Sequence, residues 1–354
     1  METTIQIAIK RKKESRINEV DFNQLGFGNE VTDHMFIADC KHGIWDNARL
    51  IPFSNLSLAP TALALHYGQT VFEGMKAFRM VDGKISIFRM DKHHKRFNNS
   101  LSRMCMPAIP YELFSESIKL LVSTDEAWIK DIRGTSLYIR PFVLATEERL
   151  GVKVSSEYKF IVIAAPVGDY YNKPLKVKIE DKYTRAAKGG TGTAKCGGNY
   201  GGSLYPAYLA NQQGFDQIIW TDGSEELYIE ESGTMNIMFV IDNIVTTPSL
   251  SETILDGVTR DSILKLAADL GYKIAERKIS AYELTSKFEQ GRVQEAFGVG
   301  TAAVTSPIAC INIKGIDYQL SKYTEKSFMK KALKLLEEIR LGSKEDKYEW
   351  NTVL

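Results

Sequence analysis

The 354-residue chain offers little that would support metal, disulfide or nucleic-acid chemistry. Its four cysteines, Cys40, Cys105, Cys196 and Cys310, are scattered and form no C-x-x-C pair. The five histidines include no H-E-x-x-H, so neither a disulfide framework nor a metal site is expected. Charge of one sign is also missing: 45 basic against 44 acidic residues leave a net charge of +1. That gives no footprint for nucleic acid, and the short run Lys10–Lys13, followed by Glu14, reads as a solvated segment. The longest apolar run, Phe160 to Val167, is far too short to span a bilayer. The N-terminal METTIQIAIKRKK carries its charge after the apolar stretch, the reverse of a signal peptide. Repeats and low-complexity segments are absent. These absences leave the expectation of a reduced, cytoplasmic, soluble globular protein.

At this length two domains are the default. Alternation suggests strands at Met1 to Lys10, Phe36 to Cys40 and Lys84 to Phe88, and helical spacing suggests Asp91 to Arg103 and Tyr111 to Ser123. Ser136 to Leu144 and Lys159 to Ala165 are apolar, β-rich runs. From Asp169 to Lys188 the chain turns polar and charged, which predicts a boundary: a small domain over 1–171, a linker over 172–185 and a large domain over 186–354. Beyond it, a helix is expected at Leu204 to Gln213 and strands at Asp216 to Trp220 and Leu227 to Ile229. A hairpin around Asp242-Asn243 joins Asn236–Ile241 to Ile244–Thr247. Val258 to Leu270 reads as a helix closed by Gly271, and Tyr323 to Leu341 as a long amphipathic one.

Against this ordinary background one segment stands out. Gly189 to Gly202 reads GGTGTAKCGGNYGG, seven glycines of fourteen around the lone lysine Lys195. Glycine lets backbone approach a ligand closely, the setting of an amine that bonds reversibly to a carbonyl. The segment by itself fits a flexible surface loop with a solvated lysine equally well. It is not a Walker loop, because Ala194 precedes and Cys196 follows the lysine. Gly298-Val-Gly300-Thr-Ala-Ala303 matches G-x-G-x-x-A, but Thr305-Ser306-Pro307 should break the chain where a dinucleotide fold needs a helix. The helix entered through Asp256-Gly257 would present N–H groups of Val258 and Thr259 to an anion, or be a plain glycine entry. Glu230-Glu231 at a strand end reads as surface carboxylates, and Arg96 as part of a solvated basic helix face.

Their order along the chain is more telling. Thr32-Asp-His-Met35, His66-Tyr67, Phe72-Glu-Gly-Met-Lys-Ala-Phe78, Gly134-Thr-Ser-Leu-Tyr-Ile-Arg-Pro141, Lys195-Cys-Gly-Gly-Asn-Tyr200, Glu231-Ser-Gly-Thr-Met-Asn236, Leu255-Asp-Gly-Val-Thr-Arg260 and Phe297-Gly-Val-Gly-Thr-Ala302 follow one another from Phe27 to Gly315. Together they resemble the branched-chain amino acid aminotransferases of the fold-type IV pyridoxal 5'-phosphate (PLP) enzymes. The resemblance implies an α+β fold of two domains, with PLP between a small α/β domain and a larger pseudo-barrel domain. It also implies transamination of leucine, isoleucine and valine with 2-oxoglutarate, giving branched-chain 2-oxo acids and glutamate by a ping-pong route, as in branched-chain amino acid biosynthesis.

By the same resemblance Lys195 is the Schiff-base lysine and the acid/base that moves the substrate's proton. Glu231 pairs with the pyridine nitrogen and Tyr200 with the ring's phenolic oxygen. Arg96, Val258, Thr259 and Thr301 hold the phosphate. Thr234 and Ala302, with Tyr67, take the substrate α-carboxylate, while Phe72, Tyr138, Arg140 and Tyr170 wall the side-chain pocket. Family members are homodimers, and the loop Glu147 to Val152 would carry Leu150 and Val152 to the partner's site.

Two departures stand out. Val31 replaces a phenylalanine that some members have before T-D-H-M, and Ala303-Val-Thr-Ser306 stands where some mammalian members have a redox C-x-x-C. No thiol switch is therefore expected there. Two competing readings are a D-amino acid transaminase or aminodeoxychorismate lyase on the same fold, which lacks the E-G-M-K-A-F and G-T-M-N stretches, and a nucleotide-binding protein using Gly298 to Ala303.

Overall fold

The computed structural model describes residues 6–132, 134–168 and 173–354. Among these, no helix is long and apolar enough to cross a membrane. The chain divides into two units: Met1–Tyr170 with Ala194–Gly198 and Arg340–Leu354, and Tyr171–Thr193 with Asn199–Ile339. The chain thus crosses between units on both sides of Lys195.

The first unit is built on one nine-stranded sheet, almost wholly antiparallel. Its centre is the ten-residue ladder between Ser136–Ala145 and Glu157–Val167, with His34–Lys41 and Ile44–Pro52 beyond it on one side and Met75–Arg79 and Ile85–Phe88 on the other. The helices Met90–Arg103 and Tyr111–Thr124 carry the expected apolar faces. Phe97 and Phe114 from them meet Phe36 and Phe160 from the sheet in a fully buried cluster. Each such ring contributes roughly 1.5–3 kcal/mol by leaving water. The C-terminal strand Asn351–Val353 covers the sheet edge at Ile85–Phe88.

The second unit has a sheet that closes on itself. The strands Ile229–Ser232, Gln217–Thr221, Leu175–Ile179, Val304–Ile313, Val293–Gly300 and Met235–Ile241 pair in that order, and the last pairs back to the first. This ring, filled by Val177, Ile219, Ile237 and Ile308 among others, is the pseudo-barrel expected from the resemblance. The hairpin at Asp242-Asn243 forms as the turn chemistry predicts, both residues having positive φ (54° and 62°).

Several expectations need correction. Val304–Ile313 is a strand, so Thr305-Ser306-Pro307 does not break the chain; Pro307 opposes Phe297 in the ladder. The stretch 172–185 contains the strand Leu175–Ile179, whose three apolar residues face the core between lysines. The helix expected from Leu204 begins at Gly197, and the one expected from Tyr323 begins at Phe328. The N-terminal strand is confined to Ala8–Ile9 among the described residues.

Candidate active site

In the first unit, Lys195 sits on a backbone fixed from both sides. Its carbonyl accepts the Phe72 N–H at 3.0 Å and its own N–H donates to Ser100 Oγ at 2.9 Å. Cys196 bridges to Val71, and Ala194 and Cys196 are buried. Lys195 Nζ lies 4.6 Å from the Phe72 ring centroid. This is not a flexible surface loop. The glycines around it have structural tasks: Gly197 to Gly202 form the start of a helix. A Cβ on Gly192 would come within 2.7 Å of the Ala186 side chain and the Thr253 backbone, so close packing is what requires that glycine.

Arg140 shares the Phe72 ring, its Cζ 4.7 Å from that centroid and 5.2 Å from that of Tyr138, and its Nη2 donates to the Tyr138 hydroxyl at 3.0 Å. Room for Tyr138 is set by Gly74, where any Cβ would overlap the phenol. Phe72, Tyr138, Arg140 and Lys195 are thus brought together. Tyr170 lies outside the described residues. Tyr67 is 41% exposed and its hydroxyl donates to the Leu150 carbonyl, on a loop where Leu150 and Val152 are also exposed. One patch therefore holds the two loop residues and Tyr67.

Arg96 is not on a solvated face. It is buried and paired through Nε (2.8 Å) and Nη2 with Glu73, a fully buried carboxylate. Burial pushes Glu73 toward the neutral acid, but Arg96, together with His93, outweighs it and holds the carboxyl well below its ordinary range.

In the second unit, Glu231 is likewise buried rather than a surface carboxylate. One oxygen accepts the Leu255 N–H at 2.7 Å and the other lies 3.1 Å from Arg185 Nε. Arg185 also donates to the carbonyls of Gly192 (3.1 Å) and Thr253. Its neighbour Glu230 is taken by the Thr253 hydroxyl, and burial raises its pKa. Glu231 stands across a two-residue hairpin from Asn236, the turn Gly233-Thr234 being pinned by Gly233 N–H to Ile218 O at 2.7 Å. The register pairs Asn236 with Val299, which puts Thr234 at the same sheet end as the turn holding Thr301 and Ala302. Gly257, against the Asn236 amide, starts the helix Val258–Asp269 at that end too.

Glu231, Thr234, Val258, Thr259, Thr301 and Ala302 are therefore brought to one end of the barrel, while Tyr200 sits half-buried on the helix Gly197–Gln212. The helix start has no side-chain cap, and Val258 and Thr259 are almost fully buried. First-turn N–H groups have no partner within a helix, so this buried start suits an anion. The nucleotide reading fails here, since Gly298 to Ala303 leads into a β-hairpin and not a helix.

The family model for class IV aminotransferases matches residues 70–311. The chain belongs to the class IV aminotransferase family. It is 43% identical over 335 residues to branched-chain-amino-acid transaminase 1 of Bacillus subtilis, covering 93% of this chain and 94% of that one. Among solved structures it is similar to the branched-chain aminotransferase of Thermoproteus uzoniensis with norvaline, at 25% identity and a TM-score of 0.75 over 90% of this chain and 99% of that one. It is also similar to a T.th. branched-chain amino acid aminotransferase with pyridoxamine 5'-phosphate, at 27% identity and a TM-score of 0.73, covering 89% and 97%. The resemblance drawn from the motifs is borne out, as is the fold-type IV, two-domain α+β architecture, and the chain is an aminotransferase.

Glu73, Arg185 and Asn236 were given no role by the motif reading. Glu73 and Asn236 lie within the motif segments, but a partner supplied from elsewhere in the chain leaves no local mark.

Proposed function

We propose that the enzyme transfers the amino group of leucine, isoleucine or valine to 2-oxoglutarate through PLP, in a ping-pong reaction with Lys195 as the Schiff-base lysine. The observation that carries this is the clamped backbone of Lys195, which delivers one amine to the aromatic and arginine-lined face of Phe72. The donor set fits the cofactor: an amine for its aldehyde, a buried carboxylate for its pyridine nitrogen, and a buried uncapped helix start with a buried arginine for its phosphate. The relatives' names and the norvaline and pyridoxamine phosphate complexes of the structural neighbours support the same reading.

When bound, PLP supplies an aldehyde that bonds amines and a ring that accepts electrons from the substrate's Cα. Glu231, paired with Arg185, would hold the proton at the pyridine nitrogen, with Tyr200 at the phenolic oxygen. Arg96, the N–H groups of Val258 and Thr259, and Thr301 hold the phosphate. Lys195 Nζ takes up the proton from the substrate Cα. Thr234, Ala302 and Tyr67 bind the α-carboxylate. Phe72 and Tyr138, with Tyr170, wall the side-chain pocket for apolar groups, and Arg140 meets the distal carboxylate of 2-oxoglutarate. The enzyme acts as a cytoplasmic homodimer, with Leu150 and Val152 reaching the partner's site.

An absorption spectrum tests this. The purified enzyme with PLP should show a band at the edge of the visible that leucine bleaches and 2-oxoglutarate restores, and Lys195→Ala should lack the lysine-dependent band. A protein that stays colourless and inactive after PLP addition refutes the proposal.

A further inference from the structure

Arg96 is held by a carboxylate whose role nothing above assigns. Glu73 accepts from Arg96 Nε at 2.8 Å and from Nη2, and also from the Gly74 N–H at 2.7 Å. This is the side-on bidentate pairing of carboxylate and guanidinium. It fixes the plane of the Arg96 guanidinium and turns the edge bearing Nη1 away from Glu73. The backbone around Glu73 is fixed as well: its own N–H donates to Pro141 O at 2.7 Å, and that of Phe72 to Lys195 O at 3.0 Å. Two consecutive residues, Phe72 and Glu73, therefore tie together Lys195, the strand that carries Tyr138 and Arg140, and Arg96.

We infer that Glu73 is a positioning residue for the cofactor's phosphate, aiming Arg96 at it and keeping that arginine in register with Lys195. The inference rests on the PLP reading given above. Electrostatics alone argues against such a carboxylate, because a paired arginine attracts a phosphate less than a bare one and a buried ion is costly to desolvate. Geometry is what the pairing supplies. His93 packs against the same carboxylate: its Nδ1 lies 3.2 Å from Glu73 Oε1, and it is 2% exposed. Burial lowers its pKa against the pull of Glu73, and Arg96 and Arg89 lower it further.

The test titrates the full-length chain, freed of cofactor, with PLP and with pyridoxal, which has the aldehyde but no phosphate. Absorbance at the visible edge reports binding. Glu73→Gln should weaken PLP by roughly tenfold or more, the worth of a charged hydrogen bond, and leave pyridoxal within about twofold. Glu73→Asp keeps the charge but is one methylene shorter and does not reach Arg96 in the same side-on position, so it should shift the PLP-to-pyridoxal ratio in the same direction by less, and it decides the matter if Glu73→Gln does not fold. In an Arg96→Gln background, Glu73→Gln should have no further effect on the ratio. An unchanged ratio, a loss of both ligands alike in Glu73→Asp, or tighter PLP in Glu73→Gln would overturn the inference. A wild-type chain that gives no band with PLP would instead overturn the reading beneath it.

Discussion

Gly257→Ala is the substitution that most directly probes how the barrel end holds Glu231. Gly257 precedes the helix Val258–Asp269 with φ −71° and ψ 126°, a conformation alanine adopts freely, so any penalty is steric. An added Cβ would overlap the Asn236 side-chain oxygen and come to 3.1 Å from Asn236 Cγ and Arg260 Cβ. Asn236 would have to turn, and its amide now donates to the Leu255 carbonyl at 2.9 Å, while the Leu255 N–H holds Glu231. Overpacking costs about 1–3 kcal/mol and the lost hydrogen bond about 1 kcal/mol more. For a unit of this size, at about 2–4 °C per kcal/mol, the unfolding midpoint should fall by roughly 5–15 °C. Circular dichroism melts measure it, and PLP titration should show weaker binding as Glu231 loses its donor. Gly202→Ala is the control: its Cβ meets nothing within 4 Å, and helix propensity, worth about 1 kcal/mol at most, should leave the midpoint unchanged or raise it by no more than about 2–4 °C. A Gly257→Ala midpoint equal to wild type, with PLP affinity intact, would show that Asn236 does not link Gly257 to Glu231.

What the sequence made legible was local. The helices Met90–Arg103 and Tyr111–Thr124 follow from periodicity within fourteen residues, and the Asp242-Asn243 hairpin from two residues that tolerate positive φ. The strand Leu175–Ile179 alternates Leu, Val and Ile with lysines, so the period was present but the charge around it suggested a linker. Pro307 in a strand flanked on both sides runs against the rule that proline keeps to edges. It is tolerated because pairing with Leu175–Ile179 starts only at Ile308, which makes Pro307 a local edge. The helix Phe328–Arg340 starts late because its cap comes from afar: the Glu295 carboxylate accepts the N–H groups of Phe328 (2.6 Å) and Met329 (2.9 Å). Lys195 and Glu231 stand in the motif segments that carry the resemblance. The buried state of Glu231 and Arg96 is not legible there, since it depends on Arg185 and Glu73.

Two further expectations separate chemistry from stability. Arg140→Met should slow reoxidation by 2-oxoglutarate by about tenfold or more, the worth of a charged hydrogen bond, while the half-reaction with leucine changes far less; stopped-flow spectra follow each half, and equal losses would count against a carboxylate role for Arg140. Asp33→Asn addresses how the segment around Ser15 is fastened to the first unit. Asp33 accepts from Ser15 Oγ at 2.5 Å, Arg16 N–H at 3.1 Å, Trp128 Nε1 at 2.9 Å and Lys12 Nζ at 3.2 Å. Burial alone would raise its pKa, but these four donors prevail and hold it below the ordinary value. A carboxyl depressed in the folded state stabilises only while ionised. Its contribution is complete above the unfolded value of about 4 and is lost as pH falls through the lower folded value. Urea midpoints from neutral pH downward should therefore show wild type ahead of Asp33→Asn by a constant margin until about pH 4, and by a shrinking one below it. A margin that holds steady or widens in acid would mean that the Asp33 carboxylate is not what these donors stabilise.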